Sequence, residues 1–353
     1  MEANKGLVLF TRLPDYFYQC LKYFTEKEDY YLDIIRYKPD AATNFRIKET
    51  DRIRLIDYEN ADFDSYLNKD YRFVYSSSWR DKNYKAVCRH YKKSIPVIIG
   101  LDNPWQGNFK QKVLSLLAGI LVKPYFNRIW AAGKPQRIYG KKLGFKEEEI
   151  TENLYSCDTE KFYPRPEVKK EFTVLYVGRF VGYKHPVLLA ELFTEILEEY
   201  PELKKWKLRF AGRGPLKNEL EKLQSENIII SDFVDPEDLP KLLNSASVFC
   251  LPSVNEHWGV SIHEAISCGL PILISDSVHS NSIFLEHGGN GYQFVTGSRE
   301  SFREYLLKIL NLSEAQLKEM SVKSVELSQR ITKEVWVNSL KRIINDFDTR
   351  KEA

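Results

Sequence analysis

Glu256 and Glu264 flank Gly259 in the stretch Leu251 to Pro271, where an apolar strand runs into a loop and Gly259 opens a helix. A loop at a strand's carboxyl end faces the ligand crevice of a doubly wound sheet, and a helix start offers free N–H groups to an anion. Glu256 then hangs over that crevice. Glu264, about one turn into the helix, can accept from the vicinal hydroxyls of a sugar or ribose. A second constellation follows another buried strand, in Tyr176-Val-Gly-Arg179-Phe-Val-Gly-Tyr-Lys184. A guanidinium binds phosphate bidentately and an ammonium acts as a point charge, so Arg179 and Lys184 together suit a diphosphate and its departure as a leaving group. Taken singly, each is equally a solvated carboxylate pair or a solvated turn. Neither is a P-loop, and Phe210-Ala-Gly212-Arg213-Gly214-Pro215 lacks the third glycine of a dinucleotide fingerprint.

These residues need strands to carry them. Short β-branched or aromatic runs recur at Gly6 to Thr11, Tyr31 to Tyr37, Arg52 to Asp57, Arg72 to Ser76, Ile95 to Gly100 and Arg128 to Ala131. Amphipathic stretches such as Asp81 to Lys93 and Phe109 to Tyr125 separate some of them. After a Pro-rich, charged break at Phe162 to Lys170, a second series follows. Its strands are Phe172 to Gly178, Lys207 to Ala211, Asn227 to Ile230, Ala246 to Leu251 and Pro271 to Ile274, with helical spacing between them. Alternation of this kind implies parallel, helix-covered sheets. The expected architecture is α/β: two Rossmann-like doubly wound domains, 1–165 and 166–333, facing each other across a cleft. The amphipathic segment 334–353 can pack on either domain, and one assignment lets it complete the first.

In order along the chain, Gly178-Arg179 with Lys184, Ala211-Gly212-Arg213-Gly214-Pro215, Asp238 to Ser253, Glu256-x7-Glu264-Ala265, Gly269-Leu-Pro271 and Gly288-Gly289-Asn290-Gly291 form a colinear set. That set resembles the C-terminal half of the family 4 glycosyltransferases, retaining enzymes of the GT-B fold, over roughly residues 170 to 295. The resemblance implies a nucleotide-diphosphate sugar as donor and co-substrate, with no cofactor and no metal. It also implies site roles: Arg179 and Lys184 on the diphosphate, Glu256 on donor-sugar hydroxyls, Glu264 on the ribose, and backbone N–H groups at Gly259 and Val260 near the phosphates. Gly178, Gly212 and Arg213 complete the donor set.

The first half departs from that pattern. Where many relatives carry a Gly-rich loop after the first strand, this chain reads Thr11-Arg12-Leu-Pro-Asp-Tyr16, so the Arg12 side chain stands in for backbone approach. Where relatives often place a histidine, it reads Leu101-Asp102-Asn-Pro-Trp105. Asp102 is therefore the nominee near the reacting centre, with an ordinary Asx-Pro turn as the alternative.

With 43% hydrophobic and 13% aromatic residues the 353-residue chain is a folded protein, and a net charge of +3 does not argue for nucleic acid. The charge is unevenly spread: from Asn103 to Lys146 there is no acidic residue, while Lys110, Lys112, Lys123 and six further cations lie in the window. Within it, Phe109 to Phe126 pairs an apolar centre with flanking lysines, as an interfacial helix would; Val113 to Val122 is equally a core helix. Arg12, Trp105, Lys110, Lys112 and Lys123 are the expected acceptor or membrane-facing residues. Five scattered cysteines without a C-x-x-C pair fit a reducing compartment, and the N-terminal residues show no signal-peptide pattern. A cytoplasmic protein is expected, with a peripheral seat at the inner membrane face left open.

The expected function is retaining transfer of a hexosyl or N-acetylhexosaminyl group to a glycan or lipid-linked acceptor, in cell-envelope polysaccharide or lipopolysaccharide synthesis. A nucleotide-sugar 2-epimerase of the same architecture, or a non-catalytic nucleotide-sugar-binding subunit, are the alternatives.

Overall fold

The computed structural model describes residues 4–38 and 47–352. The chain divides into two compact units, Met1–Ser156 with Lys333–Ala353, and Cys157–Thr332.

The first unit holds a parallel sheet of β1 (Asn4–Phe10), β2 (Tyr30–Arg36), β3 (Ile53–Asp57), β4 (Phe73–Ser76), β5 (Val97–Leu101), β6 (Arg128–Ala131) and β7 (Ile150–Thr151), in the order β3-β2-β1-β4-β5-β6-β7. Between the strands run α1 (Asp15–Lys27), α2 (Lys82–Tyr91), α3 (Phe109–Leu116), α4 (Ala118–Leu121) and α5 (Lys134–Lys142). Parallel strands covered on both faces bury whole apolar runs, and Leu7, Val8 and Leu9 of β1 and Val97, Ile98 and Ile99 of β5 are accordingly inaccessible to solvent. One face packs on Tyr84 and Val87 of α2 and on Phe126 and Tyr139.

The second unit repeats the plan with six parallel strands: β8 (Thr173–Val177), β9 (Lys207–Ala211), β10 (Ile228–Ser231), β11 (Val248–Leu251), β12 (Ile272–Ser275) and β13 (Gly291–Phe294), ordered β10-β9-β8-β11-β12-β13. Its helices are α6 (Pro186–Glu199), α7 (Lys217–Glu221), α8 (Leu239–Ser245), α9 (Val260–Ser267), α10 (Asn281–Phe284), α11 (Arg299–Leu310) and α12 (Glu314–Ser328). In both sheets the strand order reverses beside the first strand, between β1 and β4 and between β8 and β11.

The last helix, α13 (Lys333–Glu352), returns to the first unit. Trp336 is fully buried there, its indole N–H donating to the Leu154 carbonyl at 2.8 Å and its ring 4.6 Å from that of Trp130 and 5.5 Å from that of Phe17. Arg72 and Asp348 add an ion pair at 2.6 Å. Sequence pattern left the partner of this segment open because an amphipathic helix states what it hides, not from which neighbour.

The Pro-rich break at 162–170, read as a linker, is pinned to the second unit instead. Asn244 is buried; its side-chain oxygen accepts the Arg165 N–H at 2.7 Å and its amide donates to the Tyr163 carbonyl at 3.1 Å. The observed division at Ser156/Cys157 therefore precedes the expected one at 165/166. Cys157 itself is tied inward, its N–H donating to Nδ1 of the buried His263 at 3.1 Å. With Nδ1 accepting, the imidazole proton sits on Nε2, 3.0 Å from the Ser328 carbonyl.

The apolar run inside the basic window is not a core helix. It breaks at Leu117 into α3 and α4, and only Ala118 and Val122 of the stretch 113–122 are fully buried. No helix among the described residues is long and apolar enough to cross a membrane.

Candidate functional site

A topological switch point is where an open α/β sheet leaves a crevice beyond its strands' carboxyl ends. In the second unit this point lies between β8 and β11, and the two constellations of the sequence arrive there from either side. The turn after β8 is held by its own backbone: the Gly178 N–H donates to the Ala211 carbonyl at 3.1 Å, and Tyr176 Oη to the Arg179 carbonyl at 2.8 Å. Burial pushes the Tyr176 phenol well up, so it remains a donor at any working pH. Arg179 projects into solvent over the Tyr183 ring and donates to its hydroxyl. Lys184 closes the turn, after which His185 takes a left-handed φ of 48° and α6 begins at Pro186.

Lys184 Nζ donates to Glu256 Oε2 at 2.7 Å, both side chains being largely withdrawn from water. The loop after β11 is fixed on two sides to receive it. The Val254 N–H donates to the Tyr183 carbonyl at 2.8 Å, while the Glu256 N–H reaches the Ser277 carbonyl beyond β12 at 3.3 Å. Ser253 Oγ also donates to Glu256 Oε2 at 3.4 Å, a contact that sequence reading did not single out. Gly259 then adopts φ 85° and caps α9 at its N-terminus, a conformation that only glycine takes without strain. Val260 is the first residue of α9, and Glu264 lies half-buried one turn in.

Gly212 follows β9 against the same turn. A Cβ there would stand 1.9 Å from the Gly178 carbonyl oxygen, so the two glycine turns interlock at backbone distance. Arg213 extends into solvent over the Phe233 ring, 4.9 Å from its centroid, while its carbonyl accepts the Phe180 N–H at 2.9 Å. Gly178, Arg179, Lys184, Gly212, Arg213, Glu256, Gly259, Val260 and Glu264 thus all lie at the carboxyl edge of this sheet, where the backbone approaches closely and cations, carboxylates and a helix start converge.

In the first unit the corresponding edge is less charged. Thr11 donates its N–H to Ser77 Oγ at 2.9 Å across the β1/β4 switch point, and Arg12 lies exposed beyond it. Asp102 follows β5, accepting from the Asn103 side chain at 3.0 Å, its backbone carbonyl held by Gln136 Nε2 at 2.9 Å. Around it gather tyrosines that sequence reading missed. The phenols of Tyr75 and Tyr155 are both pushed well up, first by burial and then by the charge of Asp102, with Tyr16 contributing. Gly100 was the available signal: a glycine within a buried strand marks close approach, and a Cβ there would meet Tyr75 Oη at 2.2 Å.

Trp105 is half-buried on Tyr139, 5.6 Å between centroids, and so is a wall of the core rather than a free platform. Lys123 is likewise committed, donating to the Gly144 carbonyl at 2.8 Å and lying 3.6 Å from Glu149. Lys110 and Lys112 remain exposed on α3. The sequence holds two Asp-Phe-Asp segments, 62–64 and 346–348, which superficially echo a metal-binding motif, and the second gives Asp348 to Arg72. Among the described residues no group of three or more His, Cys, Asp or Glu is placed to hold a metal ion.

Residues 158–323 match the family model of the glycosyl transferases group 1. Spore coat protein SA of Bacillus subtilis is 30% identical over 152 residues, 39% of this chain and 38% of that protein. A UDP-N-acetylglucosamine–peptide N-acetylglucosaminyltransferase GtfA subunit of Streptococcus pneumoniae is 27% identical over 188 residues, 50% and 37% of the two chains. The chain thus spans well under half the length of these two curated relatives. Among solved structures, Anabaena Alr3699/HepE in complex with UDP superposes with a TM-score of 0.76 at 14% identity, over 97% of this chain and all of that one. The two parallel sheets and this likeness make the fold GT-B.

Proposed function

We propose that the protein is a retaining glycosyltransferase using a nucleotide-diphosphate sugar, since residues 158–323 match the family model of the glycosyl transferases group 1 and the fold is GT-B. The observation that carries the reading is the Lys184–Glu256 contact, which joins a diphosphate-binding turn to a sugar-facing carboxylate at the switch point. Arg179 and Lys184 take the diphosphate, with the backbone N–H groups of Gly259 and Val260 at the start of α9. Glu264 accepts from the ribose hydroxyls, and Glu256 from hydroxyls of the donor sugar. Gly212 and Gly178 let the nucleotide lie close to backbone, and Arg213 borders it.

In the transfer an acceptor hydroxyl attacks the anomeric carbon on the face from which the diphosphate leaves. The bond from that carbon to the phosphate oxygen breaks as the new glycosidic bond forms. The departing oxygen takes the acceptor proton while Arg179 and Lys184 stabilise its growing charge. No carboxylate nucleophile and no metal enter this scheme. The acceptor side is assigned to the carboxyl edge of the first sheet, with Arg12 and Asp102 as its polar groups. The acceptor is a glycan or a lipid-linked saccharide of the cell envelope, and the group moved is a hexose or N-acetylhexosamine. The Streptococcus GtfA subunit is by its name a UDP-N-acetylglucosamine–peptide N-acetylglucosaminyltransferase, and Alr3699/HepE is known in complex with UDP-glucose, which supports a donor of this class here.

The test is incubation of the purified protein with a panel of nucleotide sugars, with and without envelope saccharide acceptors. Acceptor-dependent release of nucleoside diphosphate, with the anomeric configuration kept in the product, supports the reading. Epimerisation of the sugar without release identifies a 2-epimerase instead, and donor binding without turnover on any acceptor identifies a binding subunit.

A further inference from the structure

We propose that α3 and α4 form a membrane-docking surface that seats the first unit on a bilayer rich in anionic lipid. The proposal stands on surface features of the first unit and does not depend on the transfer reaction. α3 contributes no fully buried residue. Phe109 is 79% exposed, Leu116 86% and Ile120 72%, and Leu117 and Leu121 stand out beside them. Scattered apolar residues on a surface are ordinary, but this many on two consecutive short helices mark an interaction surface.

The surface is built, not frayed. Asn108 caps α3, its side-chain oxygen accepting the Gln111 N–H at 3.0 Å. Gln111 reaches back to accept from the N–H groups of Gln106 and Gly107 at 2.7 and 3.1 Å and donates to the Pro104 carbonyl at 2.8 Å. Ala118 and Val122 pin the other end into the core. The apolar side chains are therefore held outward by a fixed frame.

Charge says what covers them. Lys110 and Lys112 rise from α3 itself, and the whole window from Asn103 to Lys146 has no acidic residue. Past the end of α4, Tyr125 carries the surface onto α2: Lys85 Nζ lies 5.0 Å and the Arg89 guanidinium 5.1 Å from its ring centroid. Lys82, Lys85, Arg89 and Tyr125 help line an open hollow of about 510 Å³ that has no acidic residue in its wall. Asp81, the acid at the start of α2, is occupied in capping that helix and in accepting from Tyr37 and Tyr58. An apolar strip bordered by cations matches acyl chains below and lipid phosphates around them. A second copy of this chain fits worse, because a two-fold contact would set the same cationic border against itself.

Flotation of the full chain with phosphatidylcholine vesicles, with and without phosphatidylglycerol, and with no nucleotide sugar present, tests the assignment. The wild type is expected to float with the anionic vesicles and far less with the neutral ones. The pair Leu116→Gln with Ile120→Gln, both solvent-facing, should lower the partition coefficient at least about tenfold while leaving the circular dichroism spectrum unchanged. Lys85→Gln with Arg89→Gln should reduce it by a smaller factor and flatten its salt dependence. Wild-type protein that stays in the pellet with anionic vesicles overturns the proposal, as does equal flotation of the Leu116/Ile120 pair. A wild-type dimer that the same pair converts to monomer, without vesicle binding, reassigns the surface to self-association.

Discussion

Lys184 and Glu256 meet at 2.7 Å although they come from turns after different strands, and each is largely removed from solvent. In the free protein the ammonium proposed to meet the diphosphate is already satisfied by the carboxylate proposed to meet the sugar. Donor binding must therefore repartition this contact. Glu256→Gln is expected to abolish most turnover while leaving affinity for a nucleoside diphosphate equal to or tighter than wild type, since Lys184 is then unclaimed. Calorimetric titration with the diphosphate reads this directly; a loss of diphosphate affinity in that variant would show that Glu256 positions Lys184 rather than competing for it.

Arg179→Ala and Lys184→Ala are each expected to lower kcat by about 10²–10³, the usual cost of removing one group aimed at developing charge. The two cations differ in setting: Arg179 is exposed on Tyr183, whereas Lys184 is part-buried against Glu256. Lys184→Ala should therefore also destabilise the second unit, and a double-mutant cycle with Glu256→Gln should return a coupling of about 0.5–3 kcal/mol. Turnover unchanged in both single variants contradicts the clamp.

Gly212→Ala probes the interlocked turns. With the Gly178 carbonyl 1.9 Å from the new methyl position, the backbone has to give way, at a cost of about 1–3 kcal/mol. The melting temperature should drop, and the stabilisation of about 2.7 kcal/mol that a hundredfold excess of nucleotide over its dissociation constant confers on wild type should shrink.

His263 supplies a pH dependence with a fixed sign. Burial pushes its pKa down to about 4, opposed only in part by the Ser328 carbonyl. Below about 6.5 the unfolded chain takes up a proton that the folded chain refuses, so stability falls as pH drops from 6.5 towards 4. The loss approaches roughly 3 kcal/mol. Urea denaturation at neutral and mildly acid pH should show it, and His263→Gln should lack most of it. The half-buried His279 is pushed down too, by burial and by His257, and leaves a smaller slope of the same sign.

Trp336→Ala should cost about 3–5 kcal/mol, the loss of a fully buried indole with its hydrogen bond to Leu154. Tryptophan fluorescence and differential calorimetry would place that loss in the first unit, because Trp130 and Phe17 are the rings it leaves uncovered.

The carboxyl edge of the second sheet was legible in the sequence because its signals are local. A buried strand ending in Gly-Arg, or a glycine opening an apolar helix, fixes direction within a few residues, and the switch point brings such strand ends together in any doubly wound sheet. What depends on distant partners was not legible. Tyr75 and Tyr155 gather at Asp102 through packing that no spacing announces, and Ser253 reaches Glu256 only once the loop is formed. The short strands β7 and β13 carry too few residues for a period to show. Asn244 holds the Pro-rich stretch after residue 162 to the second unit, a contact invisible in a composition that otherwise reads as a linker. The run from Val113 to Val122 is the sharpest case, since hydropathy cannot tell a helix hidden inside a protein from one turned outward.

Trp336 has one more consequence, in the order of events during synthesis. All strands of the first sheet leave the ribosome before Cys157, yet the indole that covers Trp130 and Phe17 belongs to a helix made after the entire second unit. The part translated first is therefore the last to be sealed, and a nascent chain arrested near residue 332 would display a finished second unit beside a first unit with an open aromatic seam, a surface for a chaperone to cover.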